Sequence, residues 1–198
     1  LGRNFDQVHG GFGAEPKFPH PAELDLLLRQ SRVRRDEQTR YAALFTLQQM
    51  ALGGLYDQLG GGFCRYSVDE RWDIPHFEKM LYDNGLLLGL YCDAWLAGGD
   101  PLFAHVAEQT AGWVMREMQS PDGHGANSTL NDKGCHARSP HPNPLPQAGE
   151  GANESLREVN VGRGYYASLD ADSEHEEGKF YVWQRDEVGA LLDAEEYA

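Results

Sequence analysis

The stretch GGLYDQLGGGFCRYSVDERWDIPHFEKMLYDN, residues 53–84, combines glycines, aromatic rings and charged side chains, and an apolar segment follows it to about residue 97. Glycines at 53, 54 and 60–62 favour turns. Pro75 suits the first turn of a helix, and the apolar spacing after it predicts a helix over residues 75–97. Because this helix is apolar on most sides, we expect it to be buried.

Apolar stripes on either side of this stretch predict three more helices. Pro21 begins the first, Asp36 is a suitable N-cap for a second that ends before Gly53, and a third follows the turn at residues 98–101. Helix pairs with short connections and only short extended pieces, near residues 63–68, indicate an all-α fold. The inward-facing residues predicted for these helices are Leu24, Leu27, Leu28, Tyr41, Leu44, Phe45, Leu47, Phe103, Val106, Thr110, Trp113, Val114 and Met118.

The apolar periodicity stops at residues 124–163, where alternating prolines in SPHPNPLPQAGEG (139–151) disfavour both helix and strand. We therefore predict a disordered Pro/Gly-rich insertion at residues 124–163 between two structured parts, residues 1–123 and 164–198. After it, residues 179–183 are predicted to form a strand and residues 186–192 to begin a helix. Since the chain begins without Met and ends inside a helical pattern, we expect it to be part of a longer protein.

The composition narrows the classes of partner. Lys and Arg total 17 against 31 Asp and Glu, a formal charge of −14, which disfavours nucleic acid and anionic membranes. No apolar run approaches the ~20 residues that cross a bilayer. The three cysteines form no C-x-x-C pair, so we expect reduced thiols and a cytoplasmic protein without a zinc site.

Three polar loops carry candidate functional residues, and several of those in the second loop lie on a predicted helix. The first loop, GGFGAEPKFP (10–19), lacks a phosphate-binding pattern. In the second, His76, Lys79 and Asp83 would share one face of the helix predicted from residue 75, and Glu78 and Tyr82 another. The alternative is structural, with His76 as a helix cap and an ion pair between Arg65 and Asp83.

The third loop is acidic and aromatic. Asp170, Asp172 and Glu174 alternate as in an EF-hand, but His175 and Tyr181 occupy the positions of the required Gly and Glu. We therefore expect no metal site there. Carboxylates flanked by aromatic rings are typical of surfaces that handle sugars, because rings stack on apolar sugar faces while acids bind hydroxyls or move protons.

Together, residues 10–19, 53–84 and 164–183 (GYYASLDADSEHEEGKFYVW) resemble the YyaL-like, spermatogenesis-associated family of thioredoxin-domain proteins. This resemblance implies an N-terminal thioredoxin-like domain before Leu1 and, in this chain, the early hairpins of a partial (α/α)6 toroid. Such a toroid is similar to those of N-acylglucosamine 2-epimerases and six-hairpin glycosidases.

Two functions follow as hypotheses. In the first, the toroid binds or processes a carbohydrate-like ligand without a cofactor, with epimerase- or glycosidase-like chemistry. His76 would be the acid/base, with carboxylate partners Asp170 and Asp172. In the second, a non-catalytic toroid binds a protein or peptide for an attached thioredoxin-like domain in redox or quality control. The predicted ligand-binding residues are Lys17, Tyr56, Asp57, Arg65, Tyr66, Trp72, Glu78, Asp83 and Glu174.

Loops at the same end of successive hairpins in a toroid surround one cavity. We therefore expect His76, Arg65 and Asp170 to meet in one site although they are distant in sequence.

Overall fold

The computed structural model describes residues 4–119 and 164–192. Within the first range, two pairs of helices pack together: α1 (Pro21–Arg34) lies against α2 (Glu37–Leu52), and α3 (Leu81–Gly98) lies against α4 (Pro101–Trp113). A π-helical segment, Val114–Met118, extends α4. The described residues are therefore mostly helical. They contain no helix long and apolar enough to cross a membrane.

Local sequence signals set most helix ends. The Asp36 carboxylate accepts hydrogen bonds from the backbone N–H groups of Gln38 and Thr39, which confirms it as the N-cap of α2. Pro21 occupies the first turn of α1, and Gly53 follows the last residue of α2, as predicted.

The described loops outside the helices contain three short two-stranded sheets. Strand β1 (Tyr66–Ser67) pairs antiparallel with β2 (Pro75–His76), confirming an extended piece near residues 63–68. Strand β3 (Lys79–Met80) pairs with β4 (Ser168–Leu169), and β5 (Asp172–Ser173) pairs with β6 (Glu176–Glu177). Helix α5 (Arg185–Leu191) follows and confirms the helix predicted near residues 186–192.

The predicted start of the third helix was wrong. Residues 75–80 are extended, because they form ladders with β1 and β4, and α3 begins at Leu81 after Met80 as N-cap. His76 is therefore neither a helix cap nor on a helix face with Lys79 and Asp83. The predicted helical pairing of Glu78 with Tyr82 is wrong for the same reason.

Burial was predicted better for some helix faces than for others. Leu24, Leu28, Phe103, Val106 and Trp113 are in the core as predicted. The expectation that the third helix is buried on most sides was wrong, because α3 exposes several large apolar side chains. These are Tyr82, Leu86, Trp95 and Leu96.

On α2 the buried side differs from the predicted stripe. Tyr41 is 61% exposed and stacks on Phe45, while Ala43, Thr46 and Met50 are buried beside Leu47. These small and medium-sized residues allow α2 to pack closely, which the larger aromatic residues would prevent.

Two expectations concern the later part of the chain. Residues 179–183 do not form the predicted strand. Instead, Tyr181 and Val182 donate backbone hydrogen bonds to the Gly178 carbonyl, forming a turn. The predicted insertion at residues 124–163 lies outside the described residues.

Each helical pair is preceded by the same kind of loop. FDQVHGGF (5–12) precedes α1, and YDQLGGGF (56–63) precedes α3. In both loops the Asp side chain accepts backbone N–H hydrogen bonds two and three residues later, and the first and last residues form an antiparallel bridge. The two pairs are therefore an internal repeat, each built as a turn, an extended segment and two helices.

Candidate functional site

Each repeated loop is closed by a buried lysine. The Lys17 ammonium contacts the Asp6 carboxylate at 2.6 Å and donates to the Glu70 carbonyl at 2.8 Å. It also lies 5.2 Å from the centre of the Trp72 ring. The buried ammonium group thus has its charge and hydrogen bonds balanced by protein groups.

Lys79 repeats this arrangement in the second loop. Its ammonium contacts the Asp57 carboxylate at 2.7 Å and donates to the Gly61 carbonyl at 2.9 Å. The rings of Trp113 and Tyr181 lie 5.2 and 5.0 Å from the ammonium. Each lysine therefore receives a carboxylate, a carbonyl and at least one aromatic face.

These lysines change the acidity of their partners. Burial acts to raise the pKa of Asp57, but the Lys79 charge and hydrogen bonds from Gly60 and Leu59 outweigh it, so the pKa lies below 3.8. Asp6 behaves in the same way: burial is opposed by the Lys17 hydrogen bond, and its pKa is lowered. Both carboxylates are therefore ionised at neutral pH.

Four predicted ligand-binding residues lie within the protein. Lys17 and Trp72 are fully buried, Tyr56 is in the core, and Asp57 is paired with Lys79. The Trp72 indole N–H also donates to the His9 carbonyl at 2.8 Å. Their contacts are with neighbouring protein groups, so these side chains stabilise the loops and do not form their accessible surface.

The accessible surface is a row of rings across three extended segments. Residue 17 bridges Ser67, and Ser67 is in register with Pro75. Lys17 and Ser67 are buried beneath this small sheet. Because side chains alternate along extended backbone, the residue adjacent to each of these, at positions 18, 66 and 76, lies on the opposite, outer face.

The outer face carries Phe18, Tyr66 and His76, which we call the aromatic ladder. The Phe18 and Tyr66 ring centres are 4.9 Å apart, and the Tyr66 and His76 rings stack at 4.8 Å with an angle of 14°. Phe18 is 40% exposed, and the His76 side chain is 28% exposed. The ladder thus presents aromatic surface to solvent.

The third loop meets the ladder at His76. The His76 Nδ1 atom lies 2.8 Å from a Glu177 carboxylate oxygen. The same loop is attached by the β3–β4 ladder and by stacking of Phe77 on Tyr181, with ring centres 5.3 Å apart. All three polar loops therefore converge, although His76 meets Glu177 and not one of the carboxylates predicted from sequence.

A second polar group lies beside β1. The Arg65 guanidinium contacts the Glu78 carboxylate at 2.9 Å, and the Arg65 backbone N–H donates to the Glu78 carbonyl. Asp83 is partly desolvated at the start of α3, which raises its pKa, while the Arg65 charge acts to lower it. The ion pair predicted as the structural alternative is thus replaced by one between Arg65 and Glu78.

The three acids predicted in the third loop lie at its surface. The Asp170 carboxylate accepts a hydrogen bond from the Asp172 backbone at 3.4 Å, and Glu174 pairs with Lys179 at 2.6 Å. Asp172 begins β5, whose register partner is Glu177. Within residues 4–119 and 164–192, no group of three or more His, Cys, Asp or Glu side chains is arranged to hold a metal ion.

Sequence reasoning missed Phe18 and Glu177. Phe18 directly follows Lys17 in the quoted first loop, so recognising the extended segment would have placed it opposite that buried lysine. No nearby sequence pattern distinguishes Glu177 from its acidic neighbours, because its role depends on a contact with His76, about a hundred positions away. Comparing the sequence with itself would have found the repeat of FDQVHGGF and YDQLGGGF.

Cys64 is poorly suited to be a nucleophile at this site. It is buried, and burial raises its pKa to about 11, so the thiolate is scarce at neutral pH.

A shallow depression of about 210 Å3 lies between α1 and α2 and not at the loops. Its lining residues are Leu26, Leu27, Gln30, Arg34, Asp36 and Thr39, none of which was predicted as functional. The depression therefore lies at α1 and α2, whereas the accessible aromatic and ionisable side chains lie at the loops. We favour the loops, because they combine accessible rings with ionisable groups.

No protein-family model matches the chain. The chain is 34% identical over 202 residues to spermatogenesis-associated protein 20 of Rattus norvegicus and of Mus musculus, and 33% identical to that of Homo sapiens. Each alignment covers 97% of this chain, which spans about a fifth of the length of these relatives. An uncharacterised protein of Caenorhabditis elegans is 45% identical over 94 residues.

Proposed function

We propose that this chain, a homologue of a segment of spermatogenesis-associated protein 20, binds a carbohydrate-like ligand on the aromatic ladder formed by Phe18, Tyr66 and His76. The helical pairs would be early hairpins of a partial (α/α)6 toroid in a larger protein that also carries a thioredoxin-like domain. The ligand would then be bound or processed with epimerase- or glycosidase-like chemistry.

The observation that carries this proposal is a difference between the two repeats. The buried Lys, its Asp partner and the Gly-Gly-Phe turn occur in both. The ladder occurs in one: at the positions that correspond to Phe18 and Tyr66, the β3–β4 pair has Met80 beside Ser168. Folding of the repeat therefore does not require the aromatic rings, which favours a binding role for them.

The chemistry around the ladder suits a sugar. Aromatic rings stack on the apolar face of a pyranose, while carboxylates and guanidinium groups bind hydroxyls. Glu177 lies at the His76 end of the ladder. In the half-buried pair of Arg65 and Glu78, Arg65 directly precedes β1 and Glu78 comes shortly after β2. Little side-chain rotational freedom is lost on binding, because strand pairing and stacking already restrict the rings.

A thermal-shift experiment with a panel of D-glucose, D-mannose, N-acetyl-D-glucosamine and cellobiose tests the proposal. A sugar present at 100 times its Kd stabilises the native state by ~2.7 kcal/mol, which raises the Tm by roughly 5–10 °C for a chain of this size. We expect this rise in the wild type and its loss in Phe18→Ser and Tyr66→Ser.

The matched control is Tyr41→Ser, which removes an exposed stacked ring from α2, away from the loops. It should keep the full sugar-induced rise. If no sugar shifts the wild type, or if the control loses the shift as well, the carbohydrate proposal is rejected.

One observation favours the alternative, a peptide-binding module without catalytic activity. Val68 and Ile74, which follow β1 and precede β2, are 49% and 55% exposed, and the Val68 backbone N–H donates to the Ile74 carbonyl. Apolar side chains beside an aromatic row would also suit an extended peptide. Substituting both by Ser should then abolish peptide binding and leave any sugar-induced rise in Tm unchanged.

A further inference from the structure

We propose that Glu177 is a positioning residue that fixes the tautomer of His76, so that the His76 Nε2 atom accepts a proton from a ligand on the aromatic ladder. This inference rests on the proposed function and adds a chemical role to the same surface. It assigns the carboxylate partner of His76 to Glu177 in place of Asp170 or Asp172.

Three independent contacts hold the His76 ring. Its backbone lies in β2, in register with Tyr66. Its ring stacks on the Tyr66 ring at 4.8 Å, and its Nδ1 atom is 2.8 Å from the Glu177 carboxylate. A ring fixed in position, plane and rotation is preorganised for proton transfer.

The hydrogen bond to Glu177 determines which nitrogen carries the proton. An ionised carboxylate can only accept hydrogen bonds, so the neutral imidazole must donate from Nδ1. The lone pair is then on Nε2. The hydrogen bond leaves Nε2 as the nitrogen that can act as a base.

Proton transfer to Nε2 is balanced without any co-reactant. A C–H bond next to a carbonyl, or an O–H bond, of the ligand breaks, its electron pair stays on the ligand, and an N–H bond forms on His76. The resulting imidazolium is stabilised by the negative charge of Glu177. Return of the proton to the ligand restores the neutral ring.

The third loop does not depend on Glu177 for its attachment. The β3–β4 pairing, the stacking of Phe77 on Tyr181 and the contact of Lys79 with the Tyr181 ring hold it separately. Glu177→Gln is therefore expected to fold with this loop in place. Glu176→Gln is the matched control, because Glu176 is an exposed acid in the same strand and is not the partner of His76.

Two-bond 15N–1H correlation spectra of the imidazole rings in the full 198-residue chain report the tautomer directly. In the neutral form of the ring we expect His76 to carry its proton on Nδ1 in the wild type and in Glu176→Gln. In Glu177→Gln the proton should move largely to Nε2, since a side-chain amide can donate to Nδ1. An Nε2–H tautomer in the wild type, or the same tautomer in all three proteins, overturns the proposal.

Titration with D-glucose, or with the panel sugar that raises the Tm most, separates the two proposals. Binding should move the His76 Nε2 resonance together with those of Phe18 and Tyr66. Movement of Phe18 and Tyr66 alone would make His76 a structural latch between loops and overturn its role as a base. If no sugar moves any resonance, the carbohydrate proposal fails, while the tautomer spectra still decide whether Glu177 positions His76.

Discussion

At the scale of single residues, the protein pairs basic side chains with carboxylates in two different settings. Lys17 and Lys79 are buried with all their charge satisfied by protein groups. Arg65 and His76 instead lie at the surface of the loops with carboxylate partners. The buried pairs determine the shape of the loops, and the accessible ones determine what the loops can bind.

Asp57→Asn is expected to destabilise the protein by about 3–5 kcal/mol at neutral pH, because it leaves the Lys79 ammonium buried without its carboxylate. Urea unfolding measures this loss. The matched control, Asp25→Asn, removes a solvent-exposed pairing with Arg29 on α1 and should destabilise the protein far less. Equal losses in the two variants would contradict the structural role given to Lys79.

The same pair predicts the direction of a pH effect. The folded-state pKa of Asp57 is below its ordinary value of 3.8, so its contribution to stability is present above about pH 4 and is lost as the pH falls through the folded-state pKa. The difference in unfolding free energy between wild type and Asp57→Asn should therefore narrow below pH 4. A constant difference down to pH 2 would contradict it.

The sequence could predict that these residues matter, but not which side they face. Lys17, Asp57 and Trp72 were grouped with Arg65 and Tyr66 because all are polar or aromatic residues in glycine-rich loops. Their separation into buried and accessible sets depends on bridges between distant segments, such as residue 17 with Ser67. No local pattern encodes such a bridge.

At the scale of elements, helix ends were predictable where the cap is local. Asp36, Pro21 and Gly53 act within one turn of the helix that they delimit, so sequence shows them directly. The start of α3 could not be predicted in this way. Residues 75–80 have a helix-like apolar pattern, but their pairing with β1 and β4 keeps them extended. Long-range pairing thus explains the largest error in the predicted elements.

The internal repeat makes a prediction at this scale. The buried Thr46 hydroxyl on α2 accepts a hydrogen bond from the Gly11 backbone N–H at 2.8 Å and donates to the Ala42 carbonyl. On α4, the buried Thr110 hydroxyl has no hydrogen-bond partner among the residues that the structure describes. Thr46→Val should cost ~1–3 kcal/mol, because it leaves a buried N–H unpaired.

Thr110→Val is the control for that experiment, and it should be close to neutral or slightly stabilising, since it removes an unpaired buried hydroxyl of similar shape. Thermal unfolding of both variants measures the difference. If Thr110→Val is more destabilising than Thr46→Val, the hydrogen bond from Gly11 to Thr46 does not stabilise the first loop as its geometry indicates.

At the scale of the whole molecule, the described residues bring three loops from distant parts of the sequence to one surface. The homology covers nearly the whole chain but only about a fifth of its mammalian relatives, so the surface belongs to a segment related to part of a much larger protein. Convergence of the loops was expected from the resemblance. The partner that joins the third loop to His76, Glu177, came only from the structure.

The central claim is that the aromatic ladder is a ligand-binding surface, and an NMR titration of the 15N,13C-labelled chain with the panel sugars tests it most directly. We expect shift changes to cluster at Phe18, Tyr66, His76 and Glu177, and to disappear in Tyr66→Ser while persisting in Tyr41→Ser. Shift changes confined to the depression between α1 and α2, or no shift changes with any sugar at concentrations up to tens of millimolar, would contradict it.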